Sequence, residues 1–261
     1  MGVLSLLEVH DLTCKFGGVR AVDELSFSVE AGAIHSVIGP NGAGKSTLFN
    51  LITGVYKPTA GRIRFDGSDV TGAAPSVLAR RGISRTFQNL QIFFNMTVGE
   101  NVMLGRHRHL DLRVVPALFR LPSVVRADKK AWAKVVEILD FVGLGEYADW
   151  DSDRLPYAGL KRLEIARALA TEPKMLLLDE PAAGLNRSEA RDVDTLIEKI
   201  AAKGVTILLV EHDMKLVMDV SDHILVLDSG RKLAEGTGAE VRANADVVAA
   251  YLGRAAAGGV L

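Results

Sequence analysis

A single cysteine, Cys14, stands in 261 residues, which excludes an internal disulfide framework and fits a reducing compartment. Charge of one sign is equally scarce. Thirty-one Lys and Arg against 32 Asp and Glu leave a net charge of −1, so no global basic field points to nucleic acid. No apolar run approaches the ~18 residues needed to span a bilayer. Met1 to Leu7 is too short, and too free of basic residues, to be a secretory leader. The expectation is a soluble, cytoplasmic protein, any membrane attachment of which must come through a partner. No internal repeat is visible, and the length suits one large or two small domains.

What is present centres on Gly39-Pro40-Asn41-Gly42-Ala43-Gly44-Lys45-Ser46-Thr47. An apolar run, Ala33 to Ile38, precedes it and a helical pattern, Leu48 to Ile52, follows, which is the strand, glycine loop and helix of a P-loop. Holding a triphosphate needs backbone N–H groups turned inward, and glycines permit the necessary dihedrals. The helix starting near Gly44 aims its positive end at the same phosphates. Lys45 can reach the β- and γ-phosphates, and the Ser46 hydroxyl can sit on Mg²⁺.

Upstream, Leu7 to Leu12 and Leu25 to Val29 read as strands, with Phe16 between them as a core or edge-strand aromatic. Downstream, Arg62 to Phe65 forms a short strand closed by an Asp66-Gly67 turn, and Ile83 to Phe87 another that ends at Gln88. From Asn89 to Thr97 the chain is apolar without a regular period. Two readings are open there: a docking surface of exposed hydrophobes, or a loop folded onto its own core. Between Arg106 and Lys130 basic residues gather, with Pro116 and Pro122 breaking any long helix, and a solvated basic face is expected rather than a metal site. Trp132, Val135, Val136 and Leu139 predict a helical packing stripe.

A helix over about Leu160 to Ala170 is followed by Met175 to Leu178, a continuous apolar run of the kind buried on both faces of a parallel sheet. Directly after it stand Asp179 and Glu180, at the strand edge where open α/β sheets hold ligands. A helix over Ser188 to Ala202, a strand over Val205 to Val210, a helix over Met214 to Val220 and strands over His223 to Leu227 and Lys232 to Glu235 complete the pattern. Phosphoryl transfer to water needs a cradle, a metal, a group to orient water and a sensor of the γ-phosphate. Asp179 suits Mg²⁺, Glu180 suits the water, and His212, just past the 205–210 strand, suits the γ-phosphate.

Gly39 to Thr47, Gln88, Leu176 to Pro181, Ala183 to Asn186 and His212 stand in the order and spacing of the ATPase subunits of ABC transporters. More narrowly, Arg85 to Asn89, Arg162 to Ala168, Glu180 to Asn186 and Val210 to Met214 resemble the ATP-binding subunit of branched-chain amino-acid importers. The resemblance implies an α/β P-loop NTPase of ABC ATPase type: a mixed sheet core, an antiparallel β subdomain and a helical signature subdomain. The ATPase domain would run over 7–253, with the helical part inserted at about 90–170 and 254–261 a flexible tail.

The same resemblance implies roles. Phe16 would stack on adenine, and Gln88 would link Mg²⁺ and the attacking water to the loop that follows it. Residues after Gln88 would contact a cytoplasmic helix of the membrane subunit. ATP and Mg²⁺ are the implied cofactors. The implied partners are a second ABC ATPase subunit in a head-to-tail dimer, two integral membrane permease subunits and, indirectly, an extracytoplasmic solute-binding protein. The chain would sit peripherally on the cytoplasmic face of the inner membrane.

The signature departs from the family's usual Leu-Ser-Gly-Gly-Gln, because spacing to Arg162 and Arg167 aligns it with Leu155-Pro156-Tyr157-Ala158-Gly159. Pro156 has neither hydroxyl nor N–H, so the serine contact to the opposing γ-phosphate is lost, while the Ala158 N–H and the helix end remain. One of two composite sites is therefore expected to be weakened. Asn186 stands where many relatives carry Asp and matches the narrower group. Competing expectations are a soluble, non-transport ABC ATPase, a poorly hydrolysing nucleotide-binding module, and an importer of urea, an amide or another amino acid.

Overall fold

The computed structural model describes residues 5–107 and 122–250. The middle of the basic stretch, with Arg108, His109, Arg113, Pro116 and Arg120, and the 254–261 tail lie outside the described residues. The chain divides into two compact units, one of Met1–Ile83, Lys174–Glu180 and Ile197–Leu261, the other of Ser84–Pro173 and Pro181–Leu196.

The first unit holds two sheets. In the antiparallel one, β1 (Ser5–Phe16) lies between β2 (Val19–Glu30) and β4 (Ala60–Phe65), and β5 (Ser68–Asp69) pairs with β4. The β4–β5 connection is Asp66-Gly67, both at positive φ (48° and 71°), the backbone that a tight two-residue hairpin requires. The second sheet runs β10 (Arg231–Gly236), β9 (His223–Asp228), β3 (Ile34–Ile38), β8 (Thr206–Val210) and β7 (Met175–Asp179), and β6 (Ile83–Arg85), of which only Ile83 belongs to this unit, is its last strand. Strands β9, β3, β8 and β7 are parallel, and β10 closes the edge antiparallel to β9. Every residue of β3, β7 and β8 is buried, which is why Met175–Leu178 and Ile207–Val210 read as unbroken apolar runs, while β3 also buries the polar His35 and Ser36.

Strand periodicity then sorts the faces. Val37, Leu225 and Leu227 join the cluster containing Leu48, Phe49, Leu51 and Ile52 of helix α1 (Lys45–Ile52). The alternate residues Ile38, Ile224 and Val226 pack with Val217 of Met214–Val220 and Val241 of Gly238–Ala243. With both faces covered, the carboxyl ends of the parallel strands are left for chemistry.

His35 is a buried polar member of β3, 5% exposed, with the His223 ring 5.2 Å away. Burial first, then His223, pull its pKa from 6.5 down to about 4, against Asp222. Its Nε2 accepts the Glu30 N–H at 3.5 Å, which suits the neutral ring. A folded-state pKa below the unfolded value means stability is full above pH 6.5 and falls as pH drops toward 4. Between pH 7 and pH 5 this histidine is expected to remove about 2 kcal/mol, and His35→Gln to remove that part of the slope, as read by urea unfolding at the two pH values.

The second unit is helical. Val98–Gly105 packs against Pro122–Phe141 and Tyr157–Leu169. Pro122 does not break this long helix; it is its first residue, where a missing N–H costs nothing. The expected stripe is also shifted. Ala131, Val135, Ile138 and Leu139 are buried, whereas Trp132 and Val136 are each 37% exposed, since the Trp132 ring lies over Gly99 at the margin of the helix contact. Strand β6 stops at Arg85, two residues earlier than the sequence pattern suggests.

Candidate nucleotide site

The loop after β3 turns through Gly39 (φ 154°), Gly42 (φ 81°) and Gly44 (φ 104°). A Cβ at Gly39 would strike the Leu227 carbonyl and one at Gly44 the Ala21 carbonyl, so both need glycine for space as well as for conformation. At Gly42 a Cβ would meet nothing within 4 Å, so the loop is open on that side. Gly44 caps α1 with no side-chain hydrogen bond, and no acidic residue stands in the helix's first turn. Helices at Val98, Met214 and Gly238, by contrast, are capped by Thr97, Asp213 and Thr237. The uncapped end leaves free N–H donors and partial positive charge at an open loop, a cradle for phosphate. Pro40, Asn41 and Ala43 shape its rim, and Ser46 and Thr47 lie in the first helical turn, Ser46 exposed.

Lys45 is only 7% exposed. Its ammonium donates to the carbonyls of Gly39 at 2.6 Å and Pro40 at 3.2 Å. Burial lowers its pKa, and the charges of Glu180 and then Asp179 oppose that shift. Asp179 ends β7 and Glu180 directly follows it, and the neighbouring β8 leads to His212. Glu180 continues the ladder, its N–H donating to the Val210 carbonyl at 2.9 Å, but with φ at 51°. That left-handed backbone, which Asp11, Glu24, Asp66, Glu172 and Ser229 share, costs a side-chain-bearing residue about 1–3 kcal/mol. It turns the carboxylate toward the next strand end, where His212 Nε2–H donates to Glu180 Oε1 at 2.7 Å.

Among the described residues no group of three or more His, Cys, Asp or Glu forms a metal site by itself. The oxygen donors of Ser46 and Asp179 match instead what Mg²⁺ takes from a protein when substrate phosphates complete its shell. Phe16 ends β1, 48% exposed, and meets Tyr56 edge-to-face with centroids 5.2 Å apart, so it is an exposed strand-end ring and not a core residue.

The family model described as "ABC transporter" matches residues 22–183, more than half of the chain. The chain belongs to the ABC transporter ATP-binding family. A second model, "Branched-chain amino acid ATP-binding cassette transporter", matches residues 231–257. The chain is 47% identical to the high-affinity branched-chain amino acid transport ATP-binding protein BraF of Pseudomonas aeruginosa, covering 96% of this chain and 98% of that one. The corresponding LivG protein of Escherichia coli is 44% identical with the same coverage. Among solved structures, the ADP conformation of MJ1267, an ATP-binding cassette of an ABC transporter, superposes with a TM-score of 0.84 at 35% identity. It covers 96% of this chain and 99% of its own. A nucleotide-free cassette gives 0.82 at 35% identity over 95% and 99%.

In this ABC cassette the second unit holds the residues expected to form the signature. Leu155 is buried, Pro156 is the N-cap of Tyr157–Leu169, and Ala158 and the buried Gly159 lie in its first turn. This helix end too has no capping side chain and no acid in its first turn, so its donors stay available. Tyr157 faces Gly184, where a Cβ would press on the ring at 3.1 Å. Asn186, which had no assigned role beyond its family match, accepts the N–H groups of Ser188 and Glu189 at 2.9 and 3.0 Å, capping Arg187–Ala202.

Gln88 is exposed in the loop after β6. Both readings of the following segment hold in part: Ile92 is buried, while Phe93 and Phe94 are 49% and 52% exposed. Asn101, fully buried, bonds the Phe93 N–H and carbonyl and the Thr97 carbonyl, each at 3.0 Å, and Ser152 reaches the Phe93 and Met96 carbonyls. A lone Asn within the Val98-Gly99-Glu100-Asn101-Val102 pattern was the available signal for this clamp.

Proposed function

We propose that this cassette binds Mg²⁺–ATP at its P-loop and hydrolyses it to drive import of branched-chain amino acids through a membrane complex. The observation that carries the reading is the convergence of Lys45, Glu180 and His212 at the ends of three adjacent parallel strands, with Glu180 in a left-handed backbone aimed at His212. ATP would take the open side of the loop, its phosphates accepting from the amides around Gly42 and Gly44 and from Lys45, which exchanges its own loop carbonyls for phosphate oxygens. Phe16 would stack on adenine. Ser46, Asp179 and Gln88 would hold Mg²⁺, which neutralises phosphate charge when bound. Glu180 would polarise the attacking water, and His212, released from Glu180 Oε1, would donate to the γ-phosphate.

Relatives named for branched-chain amino-acid transport, and the family match at residues 231–257, support the solute class. No helix among the described residues is long and apolar enough to cross a membrane, so permease subunits would carry the solute. The exposed rings of Phe93 and Phe94 suit a cytoplasmic helix of such a subunit. A second ATPase subunit would complete each nucleotide site with its own signature, and a solute-binding protein would deliver cargo on the far side. Isolating the complex through this chain and reconstituting it in vesicles should give ATP-dependent uptake of leucine, isoleucine or valine. Uptake of urea or an amide in preference to these would overturn the solute assignment.

Pro156→Ser would return a hydroxyl to the signature end, at an N-cap whose dihedrals (φ −62°, ψ 159°) serine adopts freely. One charge-assisted bond of about 1.5–3 kcal/mol should tighten ATP at the facing site roughly tenfold or more, measured by nucleotide titration of the assembled complex.

A further inference from the structure

Glu164 and Arg167 lie three residues apart on Tyr157–Leu169, the helix that begins at the signature, and neither belongs to the nucleotide-binding set. Glu164 is 3% exposed, and its carboxylate accepts the Phe87 N–H at 3.3 Å. The Gln91 N–H also bonds it. Arg167 donates to the Gln91 carbonyl and lies 5.8 Å from the Phe93 ring centroid. Burial raises the Glu164 pKa against the Phe87 N–H and then the charges of Lys161 and Arg167, and burial lowers that of Arg167 against the charge of Glu164.

A buried carboxylate beside a half-buried guanidinium is an expensive way to hold a loop, where apolar packing is often as stabilising. What they hold is the backbone at Phe87 and Gln91, and through it the exposed faces of Phe87 and Phe93, around a hollow of about 350 Å³. Their carrier helix is rigid, and seven residues separate Tyr157 from Glu164, about 10 Å of rod. A displacement of the signature end therefore moves the 87–93 backbone with it.

We propose that Glu164 and Arg167 are positioning residues that lock segment 87–93 to the signature helix, so that closure on the opposing nucleotide is delivered as one body to the surface meeting the membrane subunit. This rests on the function proposed above and adds the residues that transmit it. A merely structural pair would lower transport and hydrolysis together. A lock, once cut, lowers transport for each ATP spent.

The test uses the whole complex, purified with its membrane subunits and placed in vesicles, with leucine uptake and ATP hydrolysis read in the same preparation. Glu164→Ala and Arg167→Met should keep hydrolysis within about twofold and lose leucine per ATP by about fivefold or more. Glu164→Gln, whose amide oxygen can still accept the Phe87 N–H, should keep more than half of the wild-type ratio and guards against misfolding of the alanine variant. An unchanged ratio in Glu164→Ala and Arg167→Met, or hydrolysis falling in proportion to uptake, overturns the lock. Wild-type vesicles that take up no leucine refute the solute assignment alone. The lock is then read from hydrolysis: Glu164→Ala should keep the free chain's rate but lose about fivefold of its stimulation by the membrane subunits, and retained stimulation overturns it.

Discussion

Glu180→Gln is expected to lower ATP hydrolysis by about 10²–10⁴-fold, the usual worth of a positioned general base, while ATP binding persists. The amide keeps the shape of the side chain and an oxygen for the His212 bond at 2.7 Å, so the local fold should survive. What it loses is the charge that draws a proton from water. Steady-state phosphate release from the assembled complex gives the first quantity and nucleotide titration the second. Hydrolysis within a few-fold of wild type would remove Glu180 from the mechanism. It would also remove the expected asymmetry, in which this chain's Lys45, Glu180 and His212 with a partner's signature form the more active site.

Lys45→Ala should act on a different step. The ammonium is nearly enclosed by its own loop and shares its surroundings with the charges of Glu180 and Asp179. Removing it takes away charge-assisted bonds to phosphate of about 1.5–3 kcal/mol, roughly a 10- to 150-fold rise in Kd for ATP. Adenosine, which has no phosphates, should bind both forms alike. Titrating the two ligands against wild-type and variant chain separates loss of phosphate recognition from general damage to the fold.

How far the sequence announced this arrangement depends on how local each feature is. The loop Gly39–Thr47 was legible because its glycines, lysine and flanking strand and helix are contiguous. Strands β7 and β8 were legible because burial on both faces forces an almost uninterrupted apolar run, and β3 was legible, despite His35 and Ser36, from the glycine loop it leads into. The placement of Glu180 and His212 followed from two such runs ending side by side. The left-handed backbone at Glu180 did not, since no residue type near it calls for positive φ.

Long-range polar contacts were illegible for a related reason. Glu164 and Phe87 are 77 residues apart, and a glutamate in a helix otherwise reads as solvated. The helix near Trp132 shows a subtler limit: its period was right and its buried face lay one position away. Two exposed members, Trp132 and Val136, had been counted as core, while the smaller Ala131 had not. Pro122 stands at the head of Pro122–Phe141, where proline starts a helix rather than interrupting one.

The most direct test of the central claim is a structure of the assembled complex carrying Glu180→Gln with Mg²⁺–ATP bound. The account predicts Lys45 Nζ moved from the Gly39 and Pro40 carbonyls onto phosphate oxygens. It also places the side chain at position 180 about 2.6–3.2 Å from a water facing the γ-phosphorus. A closed complex in which Lys45 still bonds its loop carbonyls, or in which that side chain lies out of reach of any such water, would contradict it.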